Sequence, residues 1–207
     1  KLKIGANEVN ADLKHVIAIK KALGERASVR VDVNQYWDES QAIRACQILG
    51  DNGIDLIEQP ISRINRSGQV RLNQRSPAPI MADESIESVE DAFSLAADGA
   101  ASIFALKIAK NGGPRPVLRT AQIAEAAGIA LYGGTMLEGA IGTLASAHAF
   151  VTLNKLTWGT ELFGPLLLTE EIVTEAPVYR DFQLEVPRTP GLGLTLDEER
   201  LAFFSRT

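Results

Sequence analysis

The amino-acid sequence predicts an α/β protein built on a TIM-type (β/α) barrel, and three observations carry that expectation. Short apolar, β-branched runs recur along the 207 residues, each followed by a longer stretch with helical periodicity. The runs are almost continuously apolar, which suits parallel strands covered on both faces. A charged residue ends nearly every run: Lys3, Asp32, Glu58, Asp83, Lys107 and Glu161, at intervals of 29, 26, 25, 24 and 54 residues. The last interval is about two units long, and the step that lacks a charge ends in Gly133-Gly134. In an open doubly wound sheet the strand order reverses and such ends would not all meet; in a barrel they converge.

The expected strands are 2–5, 28–32, 54–58, 80–83, 102–107, 129–133 and 156–161, and amphipathic helices are expected near 12–23, 40–52, 65–74, 89–97, 116–127 and 138–153. A barrel has eight strands in about 250 residues. With seven strands here, and a chain that starts without Met inside a strand, one βα unit is expected upstream of Lys1. Residues 1–165 would then supply strands two to eight with their helices. The tail, 166–207, contains the stretch 179–187 and the Gly191-Leu192-Gly193 turn. It is too short for another unit and is expected to pack on the barrel or on a further domain.

Composition limits the function classes. Hydrophobic content of 45%, charged content of 23% and a mean hydropathy of +0.01 describe a soluble globular chain, not a disordered one. The net charge is −5 with no basic run of five, which argues against nucleic-acid or anionic-membrane partners. One cysteine, Cys46, excludes an internal disulfide, and no apolar stretch approaches the roughly 20 residues of a membrane span. A reducing, cytoplasmic setting is expected.

Asp32, Glu58 and Asp83 end three consecutive strands and are expected to converge at the C-terminal mouth. An all-oxygen set without His or Cys suits a hard dication, Mn²⁺ or Mg²⁺. Lys1 and Lys3 share one face of their strand and flank the carboxylates on one side; Lys107 flanks them on the other. Mutual repulsion, desolvation and a nearby dication are expected to lower the lysine pKa values into the range where they move protons. A hard metal opposed by lysines suggests proton transfer at the carbon α to a carboxylate.

The motifs KLKIG, VDVN, IEQP, MADES, LKIAKNGG, YGGTMLEG and WGTELFGP resemble the enolase superfamily, in its muconate lactonizing subgroup, over the whole chain. The resemblance implies a modified (β/α)7β barrel, here without its first strand and without the N-terminal capping domain. It implies Lys3 as general acid/base, Lys1 as its electrostatic partner, Asp32, Glu58 and Asp83 as the Mn²⁺ ligands, and Lys107 stabilising an enolate from the opposite face. Glu161 falls where the family places a further acid. The reaction implied is reversible cycloisomerisation of cis,cis-muconate to muconolactone in the catechol branch of aromatic catabolism, by a homo-oligomer, an octamer in the family pattern. Chloromuconate cycloisomerisation, dipeptide epimerisation and succinylbenzoate synthesis use the same core constellation. A reading from a different class is a catalytically silent barrel whose charges form a structural ion-pair network.

Other residues carry weaker expectations. Asn34, Gln59, Glu84, Thr135 and Phe163 flank the ring as candidates for supporting hydrogen bonds or substrate contact. Trp37, Trp158 and Phe163 could wall the pocket or bury at a subunit contact. His15 and His148 lie on helices and are expected as packed or capping residues, and Cys46 as a small core residue. The Asn111-Gly112-Gly113 and Gly133-Gly134 steps match no phosphate-binding pattern and are expected to allow close backbone approach.

Overall fold

The computed structural model describes residues 1–205. Six parallel strands are hydrogen-bonded strictly in sequence order: β1 (Leu2–Lys3), β2 (Arg30–Asp32), β3 (Leu56–Glu58), β4 (Ile80–Ala82), β5 (Ile103–Leu106) and β6 (Ala130–Gly133). No reversal of order interrupts the sheet, so every strand end points the same way. The crossovers are α1 (Val9–Leu23), α2 (Glu39–Asp51), α3 (Arg66–Arg75), α4 (Val89–Asp98), the one-turn α5 (Ile108–Asn111) and α6 (Pro114–Ala126); α7 (Ala140–Phe150) follows β6.

Local chemistry fixes the helix ends. Asp38 and Gln41 form a capping box at the start of α2, Ser88 accepts from Asp91 N at the start of α4, and Pro114 opens α6 where its missing N–H costs nothing. The buried positions then follow helical spacing. Helix α2 buries Ala42, Ala45, Cys46 and Leu49, and α6 buries Val117, Thr120, Ala121 and Ala124.

Strand alternation sorts the core into two faces. Val31, Ile57, Phe104 and Leu131 pack outward into two clusters shared with the helices. Leu56, Met81, Ile103, Ala105 and Tyr132 form a third cluster that contains no helix residue, the packing of a sheet curved onto itself.

The expected strand at 156–161 is reduced to a single parallel bridge between Gly133 and Thr160. Gly159 sits at φ +73°, outside the extended region, and breaks the ladder that Trp158 N→Leu131 O and Glu161 N→Gly133 O begin to form beside β6. From there Arg30 Nη1 reaches Trp158 O at 2.9 Å, and Lys1 Nζ reaches Glu161 Oε1 at 2.8 Å, so the two ends of the curved sheet touch.

Beyond a 3₁₀ turn at Gly164–Leu167, the tail forms a hairpin, β7 (Tyr179–Arg180) and β8 (Gln183–Leu184), and a final helix, α8 (Glu198–Phe204). Asp181 and Phe182 both take positive φ at the hairpin turn. Tyr179 OH donates to Leu162 O at 2.7 Å, His148 Nε2 lies 3.3 Å from Leu192 O, and Leu184, Val186 and Leu194 pack on the second-half cluster. Among the described residues no helix is long and apolar enough to cross a membrane.

Candidate active site

The register of the sheet brings the charges together. Lys3 pairs with Asp32, and Asp32 with Glu58, as direct neighbours across the β1–β2 and β2–β3 ladders. Glu58 pairs with Met81, which puts Asp83, two residues on, on the same face. Lys107 follows β5 directly and occupies the N-cap position of α5. Asp32, Glu58, Asp83 and Lys107 are all buried. Above them opens a cleft of about 440 Å³ whose lining includes Lys1, Lys3, Asp83, Lys107, Glu161 and Phe163.

Each carboxylate is engaged by an ammonium group. Lys1 donates to Glu58 Oε2 at 2.9 Å and to Glu161, and stands 3.7 Å from Asp32 Oδ2. Lys3 donates to Asp32 Oδ2 and to Asn34 Oδ1, the latter at 2.8 Å. Lys107 donates to Asp83 Oδ2 at 2.6 Å, and Lys110 to Asp83 Oδ1. As they stand, no group of three or more His, Cys, Asp or Glu among the described residues is arranged around a metal position. The donor set nonetheless fits a hard dication. Asp32, Glu58 and Asp83 lie buried at three neighbouring strand ends, and Glu58 Oε1 is buried with no hydrogen-bond partner, a cost that a cation would remove.

The lysine electrostatics follow from the carboxylates that each ammonium group meets. Burial works against both ammonium groups, but Glu58 and Glu161 outweigh it at Lys1, and Asp83 outweighs it at Lys107, so both lie above the ordinary lysine value. Opposite charge within hydrogen-bond distance wins over lysine–lysine repulsion. Lys110 is lowered, chiefly by burial. Burial pushes Glu58 up to about 8, aided by the Asp32 and Asp83 carboxylates and opposed by Lys1. Asp83 resists the same burial because Lys110 and Lys107 hold it down to about 2.

The flanking residues divide by what they hold. Gln59 is buried, and its amide braces the neighbouring backbone. Its Oε1 accepts from Asp83 N and Ser85 N, at 3.0 and 3.2 Å, while Nε2 donates to Ile61 O and Ser85 Oγ. Asn34 links Lys3 to Glu84 through a 3.0 Å hydrogen bond from Nδ2. Asn34 and Gln59 both sit at positive φ, strain that concentrates at this mouth. Thr135 turns inward to Glu138, and Phe163 remains exposed at the rim. Of the tryptophans, Trp37 is buried, and Trp158 packs on Arg30, whose guanidinium also lies 5.7 Å from the Tyr132 ring centroid.

The glycines also divide. A Cβ at Gly133 would meet Phe150 Cδ2 at 2.8 Å and one at Gly134 would meet Lys107 Cε at 2.7 Å, so close approach explains both. At Gly112 and Gly113 nothing lies within 4 Å; these are needed for φ of +81° and +118°, which end α5 and open α6. The sequence reading missed Lys110, Arg30 and Tyr132. For Lys110 a signal existed, since it lies one helical turn beyond Lys107 in LKIAK.

The model of the family described as "Enolase C-terminal domain-like" matches residues 1–200. The chain is 89% identical over 206 residues to muconate cycloisomerase 1 of Pseudomonas putida, covering all of this chain and 55% of that protein. It superposes with a TM-score of 0.96 on the muconate lactonizing enzyme from Pseudomonas putida, at 87% identity over 99% of this chain and 57% of the other. The muconate lactonizing enzyme from Pseudomonas fluorescens complexed with muconolactone gives a TM-score of 0.95 at 78% identity, over 99% of this chain and 56% of the other. The chain thus spans about half the length of the curated relatives it matches.

Proposed function

Since the chain belongs to the enolase C-terminal domain-like family, we propose that it carries the catalytic barrel of a divalent-metal-dependent isomerase that interconverts cis,cis-muconate and muconolactone. The observation that carries this reading is the buried ring of Asp32, Glu58 and Asp83, with an unpartnered Glu58 oxygen, set between Lys3 on one wall and Lys107 on the other. Residues 1–165 supply strands two to eight of a (β/α)7β barrel, and 166–207 are the C-terminal tail, which packs on the barrel or on the capping domain of the longer protein. The working enzyme is a cytoplasmic homo-oligomer, an octamer in the family pattern.

Asp32, Glu58 and Asp83 would hold Mn²⁺ or Mg²⁺, which when bound supplies a Lewis acid for charge developing on a substrate carboxylate. One carboxylate of the diene adds to the far double bond, and negative charge builds on the other. Lys3 gives its proton to the carbon α to that second carboxylate, and takes it back in reverse. Lys107 faces the same carbon from the opposite wall and stabilises the enolate charge. Lys1 is held by Glu58 and Glu161, and keeps its charge beside Lys3. No electron leaves or enters, so no redox cofactor is required.

The test follows cis,cis-muconate absorbance with Mn²⁺ and with chelator, for wild type and Lys3→Ala, in a protein of the relatives' full length that contains this chain. Metal-dependent loss of muconate that vanishes in Lys3→Ala supports the reading. Lysine-dependent exchange of an α-proton on another carboxylate in D₂O, without muconate turnover, would keep the chemistry and change the substrate to a chloromuconate, dipeptide or succinylbenzoate precursor. The ammonium–carboxylate pairing of the ring favours a second reading, a silent structural ion-pair network, which absence of both activities would leave standing.

A further inference from the structure

We propose that Lys110 is the positioning residue that decides which oxygen of Asp83 is free to take a divalent cation. The inference rests on the metal reading above. Asp83 is met by two ammonium groups from one helical turn: Lys107 and Lys110, three residues apart, both aim at its carboxylate. They are held differently. Among the described residues, Lys107 donates to Asp83 Oδ2, a side-chain oxygen. Lys110 donates to Asp83 Oδ1, to the Asp83 backbone carbonyl and, at 3.5 Å, to Ala105 O.

Two of the three Lys110 acceptors are main-chain groups of adjacent strand ends, which stay where they are when a ligand arrives. Lys110 therefore remains on Oδ1. Lys107 has no such anchor, and its stem runs over Gly134, where the missing side chain leaves room for the arm. A cation that takes Oδ2 displaces the Lys107 ammonium into the cleft, where it can face substrate. Lys110 keeps the carboxylate from rotating, so Oδ2 is the oxygen presented.

The two lysines then act on cation binding with opposite sign. Lys107→Met removes a competitor for Oδ2 and tightens binding. Lys110→Met lets the carboxylate turn and lets Lys107 occupy either oxygen, weakening binding by about ten-fold or more, the usual effect of losing a group that orients a metal ligand. Two lysines that acted only as positive charges beside a cation would both tighten it when removed.

The experiment titrates Mn²⁺, read by the electron paramagnetic resonance of the free ion and by calorimetry, into wild type, Lys107→Met, Lys110→Met and Lys110→Arg. It uses the protein at its relatives' full length, with circular dichroism to verify folding. Tighter binding in Lys107→Met, weaker binding in Lys110→Met and partial recovery in Lys110→Arg support the assignment. Unchanged or tighter binding in Lys110→Met overturns it while leaving the metal reading intact. Should Lys110→Met not fold, Lys110→Gln, which keeps an amide donor, is read by the same sign. A wild type that binds no Mn²⁺ overturns the metal reading and this assignment together.

Discussion

Gly134 lies directly beneath the Lys107 side chain: a Cβ at Gly134 would stand 2.7 Å from Lys107 Cε and 3.1 Å from its Cγ. The atoms met belong to a flexible arm, so the arm yields and the backbone stays. Gly134→Ala is expected to fold with a nearly unchanged thermal midpoint. Its kcat should fall by about 10²-fold, the scale of an ångström-sized misplacement of a reacting group. Muconate turnover measured beside a melting curve checks this; lost stability with retained kcat would contradict it.

Gly164 presents the opposite case. A Cβ there would lie 2.1 Å from Glu138 O and 2.8 Å from Leu137 C, both backbone atoms. Neither can step aside, and Leu137 already sits at φ +63°. Gly164→Ala should cost about 2–3 kcal/mol, in the range of core overpacking. Urea denaturation gives the value directly.

Glu58 joins stability to function with opposite signs. Its carboxylate is fully buried, has one unpartnered oxygen and faces Asp32 and Asp83. Glu58→Gln keeps the shape and removes a carboxyl whose ionised form burial and its acidic neighbours disfavour, while Lys1 keeps Glu161 as its partner. The metal-free protein should gain roughly 1 kcal/mol, or about 2–4 °C at this size, while Mn²⁺ binding is lost. Calorimetric melting in chelator and a Mn²⁺ titration read the two effects separately.

Cys46 offers a test of pH. Burial on the core face of α2 pushes its thiol up to about 12. An exposed thiol ionises near 8.5, so between about 8.5 and 12 the folded chain keeps a proton that the unfolded chain releases. Folding stability must fall as pH rises through that window, by at most about 1.4 kcal/mol per pH unit from this group. Comparing wild type with Cys46→Ala in urea melts from pH 8 to 10 should show the extra slope in wild type alone. Disulfide reagents at pH 8 should modify native Cys46 far more slowly than the unfolded chain.

The sequence was most informative where physical periodicity is strongest. Asp32 and Glu58 could be placed at one mouth because each ends a run buried on both faces, and the parallel register then makes them direct neighbours. The segment near Trp158 was less legible, since its apolar residues suit a strand while the φ of Gly159 does not. Lys110 escaped because LKIAK reads as a strand end and a loop, whereas the chain winds into a helical turn at Ile108. The lysine electrostatics depend on a further count. Spacing shows which charges are near one another, but the raised Lys1 depends on how many acids reach its Nζ, and one of them comes from residue 161.

That contact sets an order of events in time. Lys1 and Glu161 are 160 positions apart in sequence, and Arg30 and Trp158 are 128 apart. Ribosomes add about 5–20 residues per second, so Lys1 waits on the order of ten seconds or more for its second acid. Meanwhile strands next to each other in sequence can pair at small closure entropy. Any chain cut short before residue 161 would keep the Glu58 partner of Lys1 and leave the seam between the first and last strands open. The mouth of the sheet is thus completed only after six strands have been made, and the Lys1–Glu161 contact reports that synthesis and folding have both passed residue 161.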